Sequence, residues 1–263
     1  MSNEVMYDQF SEDYDRFVNW DARLAYEIPF LQSEMGGPIS SPNQSVSILD
    51  AACGTGQHAI ALKELGFDVA GADISAKMVN TATENAQAAG FNIPFMQAGF
   101  GQLAEAFAPG MFDGLLCLGN SLPHVLEDEA ISNTLADFKS VLRPGGKLII
   151  QNRNFDSVLK AHNRWMEPQT FHEGDKTWIF IRFYDFDPNG TITFNILTLS
   201  NQENSDYQQK VFSTRLRPLK KVELVSFIEE AGFEDIHLYG DLQGSAFDIE
   251  ESGNLVITAH NNT

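Results

Sequence analysis

The clearest chemical signal in the chain is a glycine-rich loop at residues 51–56, which follows an apolar run that ends in Asp50. Gly54 and Gly56 can take a positive φ and let the backbone approach a ligand closely, while the helix that follows presents unpaired N–H groups at its first turn. The next apolar run ends in Asp73, an acid that can accept both hydroxyls of a ribose. These features predict an adenosine-binding pocket at the carboxyl edge of a parallel sheet.

Two kinds of cofactor fit this pocket. The run GTGQHA at 54–59 loosely fits the dinucleotide fingerprint G-x-G-x-x-G/A, and Asp73 lies near the expected distance, which is compatible with a nicotinamide or flavin enzyme. Asp50 favours the other kind, because a carboxylate before the loop would repel a bound phosphate but suits a cationic ligand without phosphate.

Two further strand ends carry polar residues that suit a reaction. The apolar run at 112–118 is followed by Asn120 and Ser121, and the run at 147–151 is followed by Arg153. Since open α/β sheets bind ligands at the carboxyl ends of their strands, Asn120 and Ser121 are expected to face the reacting groups. Arg153 is suited to clamp a carboxylate with two hydrogen bonds, although a structural ion pair explains this arginine equally well.

A parallel sheet has to bring these strand ends together, and the chain predicts one between residues 46 and 151. Strands that alternate with helices imply parallel pairing with right-handed crossover connections. Helical spacing at 6–35, with a break at 19–21, precedes this region, and RPGG at 143–146 predicts a turn before the fifth strand. Ser75 is expected to cap the helix that follows the second strand.

The pattern changes between residues 169 and 217, where three or four strand-like runs alternate polar and apolar residues around a strong turn signal, DPNG at 187–190. The expected fold class is therefore α/β, with a doubly wound, mostly parallel seven-stranded sheet and an inserted antiparallel β-meander cap. We expect four segments: an N-terminal helical lid at 1–40, a cofactor-binding core at 41–165, the β insertion as a substrate cap at 166–218, and a C-terminal helix with the last two strands at 219–263.

Composition limits the classes of function. The formal net charge of −19 would repel a phosphate backbone, so a small-molecule substrate is expected and a nucleic-acid partner is not. The 263 residues contain no apolar run of the roughly 18 residues that a membrane span needs, and the acidic N-terminus differs from a signal peptide, which predicts a cytoplasmic protein without a membrane partner.

The two cysteines and six histidines show no metal-binding spacing, so no metal site is expected, and His124 is interpreted as structural. A homo-oligomer is allowed but not indicated.

The stretch LDAACGTG at 49–56 resembles motif I of the class I S-adenosylmethionine-dependent methyltransferases, with Ala52 in place of the family's first glycine. Asp73 resembles the ribose-binding acid of that family, DISAKM at 73–78 resembles its usual continuation, and LRPGGKLII at 142–150 is similar to its stretch before strand five. The resemblance implies S-adenosylmethionine as cofactor and S-adenosylhomocysteine as product. The cofactor-binding residues that it implies are Arg23, Asp50, Ala52, Gly54, Gly56, Asp73, Ile74, Met78, Gly99, Phe100 and Leu118.

LGNSLPH at 118–124, together with QNRNFD at 151–156, is similar to glycine N-methyltransferase and to the bacterial glycine and sarcosine methyltransferases. This resemblance implies that Asn120 holds the substrate amine, that Arg153 clamps the substrate carboxylate, and that Arg23 binds the methionine carboxylate of the cofactor. Tyr14, or Tyr7, on the leading helix is expected to close over the amine. The catalytic residues predicted in this way are Asn120, Arg153, Tyr14 and Ser121.

Three positions depart from that group. Gly99 stands where the family has a polar side chain beside the adenine, and Gln151 and Asn152 replace an acidic residue and a histidine. Three hypotheses about function therefore remain: N-methylation of a small amine that carries a carboxylate, such as glycine or sarcosine; O-methylation of a small carboxylate or hydroxyl metabolite; and cofactor binding without catalysis. A nicotinamide enzyme ranks fourth.

Overall fold

The computed structural model describes residues 3–36, 45–202 and 205–262, and it contains two sheets. The helices are α1 (Asn3–Phe17), α2 (Trp20–Glu34), α3 (Gln57–Glu64), α4 (Ala76–Ala88), α5 (Leu103–Ala106), α6 (Asp128–Val141), α7 (Phe155–Ala161) and α8 (Lys221–Glu230). The strands are β1 (Ser47–Asp50), β2 (Asp68–Asp73), β3 (Phe95–Gln97), β4 (Phe112–Cys117), β5 (Leu142–Arg153), β6 (Gln169–Glu173), β7 (Lys176–Phe186), β8 (Ile192–Gln202), β9 (Gln208–Leu216), β10 (Glu234–Tyr239) and β11 (Asn254–Asn261).

The seven-stranded sheet has the order β10-β11-β5-β4-β1-β2-β3 and is parallel from β5 to β3. Only β11 runs against its neighbours β5 and β10. The order reverses between β1 and β4, which places the carboxyl ends of both strands beside a crevice suited to a ligand. This sheet confirms the predicted fold class.

Apolar strand residues alternate between two core layers on opposite faces of this sheet. Leu49 and Leu115 belong to one buried cluster, while their neighbours Ile48 and Leu116 belong to the other. A strand that is buried on both faces reads as a continuous apolar run, which is why the central strands could be predicted from the sequence. The core fixes the strand ends, and the strand ends carry the candidate site.

The second sheet is an antiparallel meander of β6, β7, β8 and β9, as predicted. Its inner face packs on α1, where Met6 and Phe10 contact a buried cluster that includes Phe180 and Phe212. Helix α1 therefore lies between the meander and the carboxyl edge of the large sheet. The break predicted near residues 19–21 falls between α1 and α2, and the Asn19 side chain caps α2 by accepting from the backbone N–H of Ala22.

Some elements differ from the expectation. The RPGG stretch lies inside β5, where pairing with β4 shifts from Phe112–Leu142 to Gly114–Lys147, so the predicted turn is a bulge in a longer strand. Helices α5 and α7 were not predicted because they contain only four and seven residues. The boundary predicted at residues 40–41 lies outside the described residues.

Within the described ranges, no helix combines the length and the apolar character that crossing a membrane requires. The same residues contain no group of three or more histidine, cysteine or acidic side chains placed to hold a metal ion.

Candidate active site

A cavity of about 320 Å³ opens at the carboxyl edge of β1, β2 and β4, beneath α1. Nine of the residues predicted from the sequence line it, together with Tyr7, His124 and Gln102. The nine are Tyr14, Ala52, Gly54, Asp73, Ile74, Met78, Gly99, Phe100 and Ser121. The remaining six predicted residues lie outside the lining: Arg23, Asp50, Gly56, Leu118, Asn120 and Arg153.

The glycine loop forms the floor of this cavity, and two positions in it require glycine. Gly54 has φ +52° and lies under the Tyr14 ring, where an added Cβ would be 3.5 Å from that ring. Gly56 has φ +81° and caps α3. A Cβ on Gly56 would lie 2.9 Å from the Cβ of Ala82, so its glycine lets α4 pack closely against the loop.

Asp73 at the end of β2 is held by two backbone donors. Its Oδ2 accepts from the N–H of Gly54 and its Oδ1 accepts from the N–H of Ser75, both at 2.9 Å. Burial, opposed by these two hydrogen bonds and reinforced by the charges of Asp50 and Asp8, raises the pKa of Asp73 to about 6. Each carboxylate oxygen keeps a lone pair, so the group can accept from two neighbouring hydroxyls of a ligand.

Asp50 at the end of β1 is only 2% exposed, and its Oδ1 has no hydrogen-bond partner among the described residues. Burial raises the pKa of this carboxyl, while the nearby charges of His58 and Arg23 act in the opposite direction. A buried acceptor without a donor destabilises the fold unless a ligand supplies one. The adjoining residue Ala51 lines the cavity, so a cationic ligand bound there would meet this carboxylate.

Arg23 on α2 is fixed by an acid that the sequence analysis missed. Its Nε lies 3.1 Å from both oxygens of Glu27, and Glu27 also contacts the Nε2 of His58 at 2.6 Å. Although burial alone would raise it, the pKa of Glu27 is lowered by these partners. The Nη2 of Arg23 lies 3.9 Å from the position of a Cβ at Gly119, so the guanidinium reaches the tip of β4. Arginine and glutamate four residues apart on a helix are the signal that could have revealed this pair.

Asn120 joins the tips of β4 and β5. It has φ +63°, and its side-chain Oδ1 accepts from the backbone N–H of Arg153 at 2.9 Å. Gln151 strengthens the junction, because its Oε1 accepts from the N–H of Gly119 at 2.7 Å. The hydroxyl of Ser121 donates to the Leu118 carbonyl at 2.7 Å. Asn120 and Arg153 are therefore neighbours, although 33 positions separate them in the chain.

The Arg153 side chain leaves this junction towards β7. Its charge acts on Tyr184, whose pKa it lowers against the effect of burial, and its Nη1 donates to the Oδ1 of Asn254 at 3.4 Å. No carboxylate in the described ranges forms an ion pair with it. The structural ion pair that the sequence allowed for Arg153 is thus not formed by these residues.

Helix α1 covers the cavity and is attached through two acids that the sequence analysis missed. Asp8 accepts from the hydroxyl of Ser75 and Asp15 accepts from the hydroxyl of Thr55, each at 2.5 Å. These contacts join α1 to the first turn of α4 and to the glycine loop. Asp8 lies at the N-terminal turn of α4, where the helix dipole favours a negative charge.

Tyr7 and His124 form a hydrogen-bonded pair at the acceptor side, with 2.8 Å between the tyrosine hydroxyl and Nε2. Burial lowers the pKa of His124 to about 4, so the imidazole is neutral near pH 7. Burial also raises the pKa values of Tyr7 and Tyr14, which keeps both phenols protonated. The wall of the cavity at this side is consequently polar but uncharged.

Gln102 was also missed, and it compensates for the small residue at position 99. Its Oε1 accepts from the backbone N–H of Gly99 at 3.0 Å, and both residues line the cavity beside Phe100. Met78 is buried beneath this region and Ile74 is 41% exposed. A flat aromatic ligand group would therefore find apolar surface, an aromatic ring and an amide at this end of the cavity.

Comparison with known proteins identifies the kind of molecule that has this site. A family model described as a methyltransferase domain matches residues 48–146. Glycine/sarcosine N-methyltransferase of Halorhodospira halochloris is 31% identical over 94% of this chain and 85% of its own length, and that of Aphanothece halophytica is 33% identical over 89% and 82%. Among solved structures, the CcbJ methyltransferase from Streptomyces caelestis superposes with a TM-score of 0.77 over 98% of both chains at 21% identity, which supports the fold.

Proposed function

We propose that this chain, which belongs to the S-adenosylmethionine-dependent methyltransferases in the family of the glycine/sarcosine N-methyltransferases, methylates the amine of a small amino acid such as glycine or sarcosine. The family makes the chain an enzyme that uses S-adenosylmethionine, and the predicted resemblance is confirmed. The identity of the acceptor is our proposal. The observation that carries it is the arginine at the tip of β5, which lies next to Asn120 and has no acidic partner in the described ranges.

The residues around the cavity fit the cofactor. The unpartnered Oδ1 of Asp50 suits a cationic ligand, and Asp73 offers two acceptors for a ribose. Arg23 reaches the tip of β4, where it is proposed to bind the methionine carboxylate. We propose the same cofactor set as the sequence analysis: Arg23, Asp50, Ala52, Gly54, Gly56, Asp73, Ile74, Met78, Gly99, Phe100 and Leu118.

When bound, S-adenosylmethionine supplies a methyl group activated by the positive charge of its sulfonium. The proposed part of the chain is to position the acceptor. Arg153 holds the acceptor carboxylate, Asn120 orients the amine, and Ser121 and Tyr14 complete the wall. Burial next to a cation lowers the pKa of the amine, so the acceptor is presented as the neutral nucleophile. Because His124 has a pKa of about 4, it is not assigned the role of a base.

The architecture supports assigning these roles to separate segments. We propose that residues 1–40 act as a helical lid, since α1 lies over the cavity through Asp8 and Asp15. The insertion at 166–218 is proposed as the substrate cap, because Tyr184 on β7 meets Arg153. Residues 41–165 form the proposed cofactor-binding core, and residues 219–263 complete its sheet.

The direct test is methyl transfer from isotopically labelled S-adenosylmethionine to glycine, sarcosine, dimethylglycine and matched acids without the amine, with products identified by mass. Labelled N-methyl products are expected from glycine or sarcosine, and none from the matched acids. Asp73→Asn serves as the cofactor-site control, since it should reduce transfer to every acceptor. Transfer to oxygen acceptors alone would refute the amine assignment and favour O-methylation.

A further inference from the structure

A second arginine lies beside Arg153. Arg182 is on β7, two residues before Tyr184, and side chains two positions apart lie on the same face of a strand. Tyr184 packs in one buried cluster with Phe155, which follows Arg153 by two residues, so β7 brings Arg182 close to Arg153. The Arg182 guanidinium lies 4.9 Å from the centre of the Phe17 ring on α1. The core, the insertion and the leading helix therefore meet at these residues.

No acidic side chain among the described residues balances the positive charge of this pair. The Nε of Arg182 is buried and has no hydrogen-bond partner among the residues at 3–36, 45–202 and 205–262, and no carboxylate oxygen in these ranges lies within 4.0 Å of either guanidinium. Burial first, and then the charge of Arg153, lower the pKa of Arg182. By contrast, Arg217, which directly follows β9, forms ion pairs with both Asp128 and Glu223. This chain has 36 acidic and 17 basic residues, so two neighbouring arginines without an acid are unexpected.

Two partly buried cations without an acidic partner cost the folded protein stability unless an anion joins them. The Phe17 ring offers its face to Arg182, which holds the guanidinium without neutralising it. Tyr184 is 3% exposed and keeps its phenol protonated, because burial raises its pKa. The arrangement is that of a prepared anion site, with planar donors from β5 and β7.

We propose that Arg182 and Arg153 together bind the carboxylate of the methyl acceptor, and that Arg182 is a second determinant of acceptor specificity. This proposal rests on the proposed function. It assigns the site to small amines that carry a carboxylate, and it excludes amines of similar size without an anionic group, such as ethanolamine. Because Arg153 belongs to the core and Arg182 to the insertion, the acceptor carboxylate also joins the cap to the core.

Arg182→Met tests the charge, because methionine keeps an apolar stem against Phe17, and Arg182→Lys tests the planar fork while keeping the charge. The matched control is Arg215→Met, an exposed arginine on β9 of the same sheet. We expect Arg182→Met to raise the KM for the carboxylate-bearing amine about 10- to 100-fold with little change in kcat. Arg182→Lys should fall between this variant and the wild type. Arg215→Met should match the wild type.

A second readout does not depend on turnover. Acetate, the simplest carboxylate probe, should raise the Tm of wild-type protein saturated with S-adenosylhomocysteine, and this rise should be lost in Arg182→Met and in Arg153→Met. Without acetate, Arg182→Met should be at least as stable as the wild type, because it removes a partly buried cation that has no acidic partner in the described ranges. A KM and an acetate-dependent Tm that are both unchanged in Arg182→Met would overturn the proposal.

The two proposals can fail separately. If the wild type methylates no amine but acetate stabilises it through both arginines, the anion site stands and the amine acceptor is wrong. If glycine or sarcosine is methylated and Arg182→Met behaves like Arg215→Met, the proposed function stands and Arg182 has no part in acceptor binding. Should Arg182→Met not fold, the KM and acetate response of Arg182→Lys decide between these outcomes.

Discussion

The cofactor half and the acceptor half of the site are built in different ways. In the cofactor half, the glycine loop and Asp73 come from one βαβ unit, and Asp73 receives two backbone hydrogen bonds from within it. In the acceptor half, Asn120, Arg153 and Arg182 come from three distant stretches, and the two guanidiniums have no acid in the described ranges. Local sequence therefore determines how the cofactor is held, while tertiary packing determines which acceptor is held.

The comparison predicts that the largest effects arise where the loop backbone is altered. Gly56→Ala places a Cβ 2.9 Å from the Cβ of Ala82 and leaves alanine at φ +81°. We expect a loss of about 2–4 kcal/mol in the free energy of unfolding, measured in urea, and a loss of measurable cofactor binding. Gly66→Ala is the control, since Gly66 has φ +93° but nothing within 4 Å of an added Cβ. It should cost about 1 kcal/mol and leave cofactor binding intact.

If Gly56→Ala bound the cofactor with wild-type affinity, close packing of α4 on the loop would not be needed for the site. If both variants lost stability equally, the cost would come from the backbone angle alone. Only a larger loss of stability in Gly56→Ala than in Gly66→Ala supports the interpretation that glycine at position 56 allows Ala82 on α4 to pack closely on the loop.

Cofactor binding should depend on pH through Asp73. Its pKa is raised to about 6 in the free protein, so the carboxylate that accepts from a ribose is lost as the pH falls through 6. The dissociation constant of S-adenosylhomocysteine, measured by calorimetry, should rise about tenfold from pH 7 to pH 5.

Asp73 also makes the stability of the free protein depend on pH, but in the opposite direction to cofactor binding. Since an acid with a raised pKa binds its proton more tightly when folded, this contribution decreases as the pH rises from 3.8 to about 6.

Asp73→Asn should remove this pH dependence and weaken binding at pH 7 about 10- to 100-fold. Asp68→Asn, at the exposed opposite end of β2, should keep both the affinity and the pH profile of the wild type. A pH profile that persists in Asp73→Asn would assign the titration to another group.

Substitutions of residues in the acceptor half should leave the affinity for the cofactor unchanged. Asn120→Gly removes the side chain that accepts from the backbone N–H of Arg153, while glycine still permits φ +63°. We expect the KM for the acceptor to rise about 3- to 10-fold, measured in steady-state kinetics, with an unchanged dissociation constant for S-adenosylhomocysteine. If cofactor affinity fell by the same factor, the two halves would not be separable at the tip of β4.

The sequence predicted the parts of the molecule whose causes are local. The strand at 46–50, the glycine loop and Asp73 form one continuous pattern, and the buried central strands are continuous apolar runs. Arg182 and the link between Asn120 and Arg153 were missed because neither leaves a pattern in neighbouring residues. The position of Arg182 follows from the packing of Tyr184 with Phe155, and the link between Asn120 and Arg153 follows from the pairing of β4 with β5. The length of β5 was missed because RPGG is typical of a turn, although pairing with β11 continues to Gly146.

Glu27 gives the smallest effect, and it tests whether the cofactor half also depends on packing over distance. Its carboxylate holds Arg23 at 3.1 Å and His58 at 2.6 Å, so it positions the guanidinium rather than contacting a ligand. Glu27→Gln keeps the size and one acceptor but removes the charge. We expect the dissociation constant of S-adenosylhomocysteine to rise about 2- to 5-fold, because a less firmly held arginine loses part of its preorganisation. The control is Glu34→Gln. Glu34 lies on the same helix as Glu27 and forms an ion pair with Lys147 on β5, and its substitution should leave this constant unchanged. Equal effects of the two substitutions would mean that α2 contributes through its stability and that Glu27 has no specific role in placing Arg23.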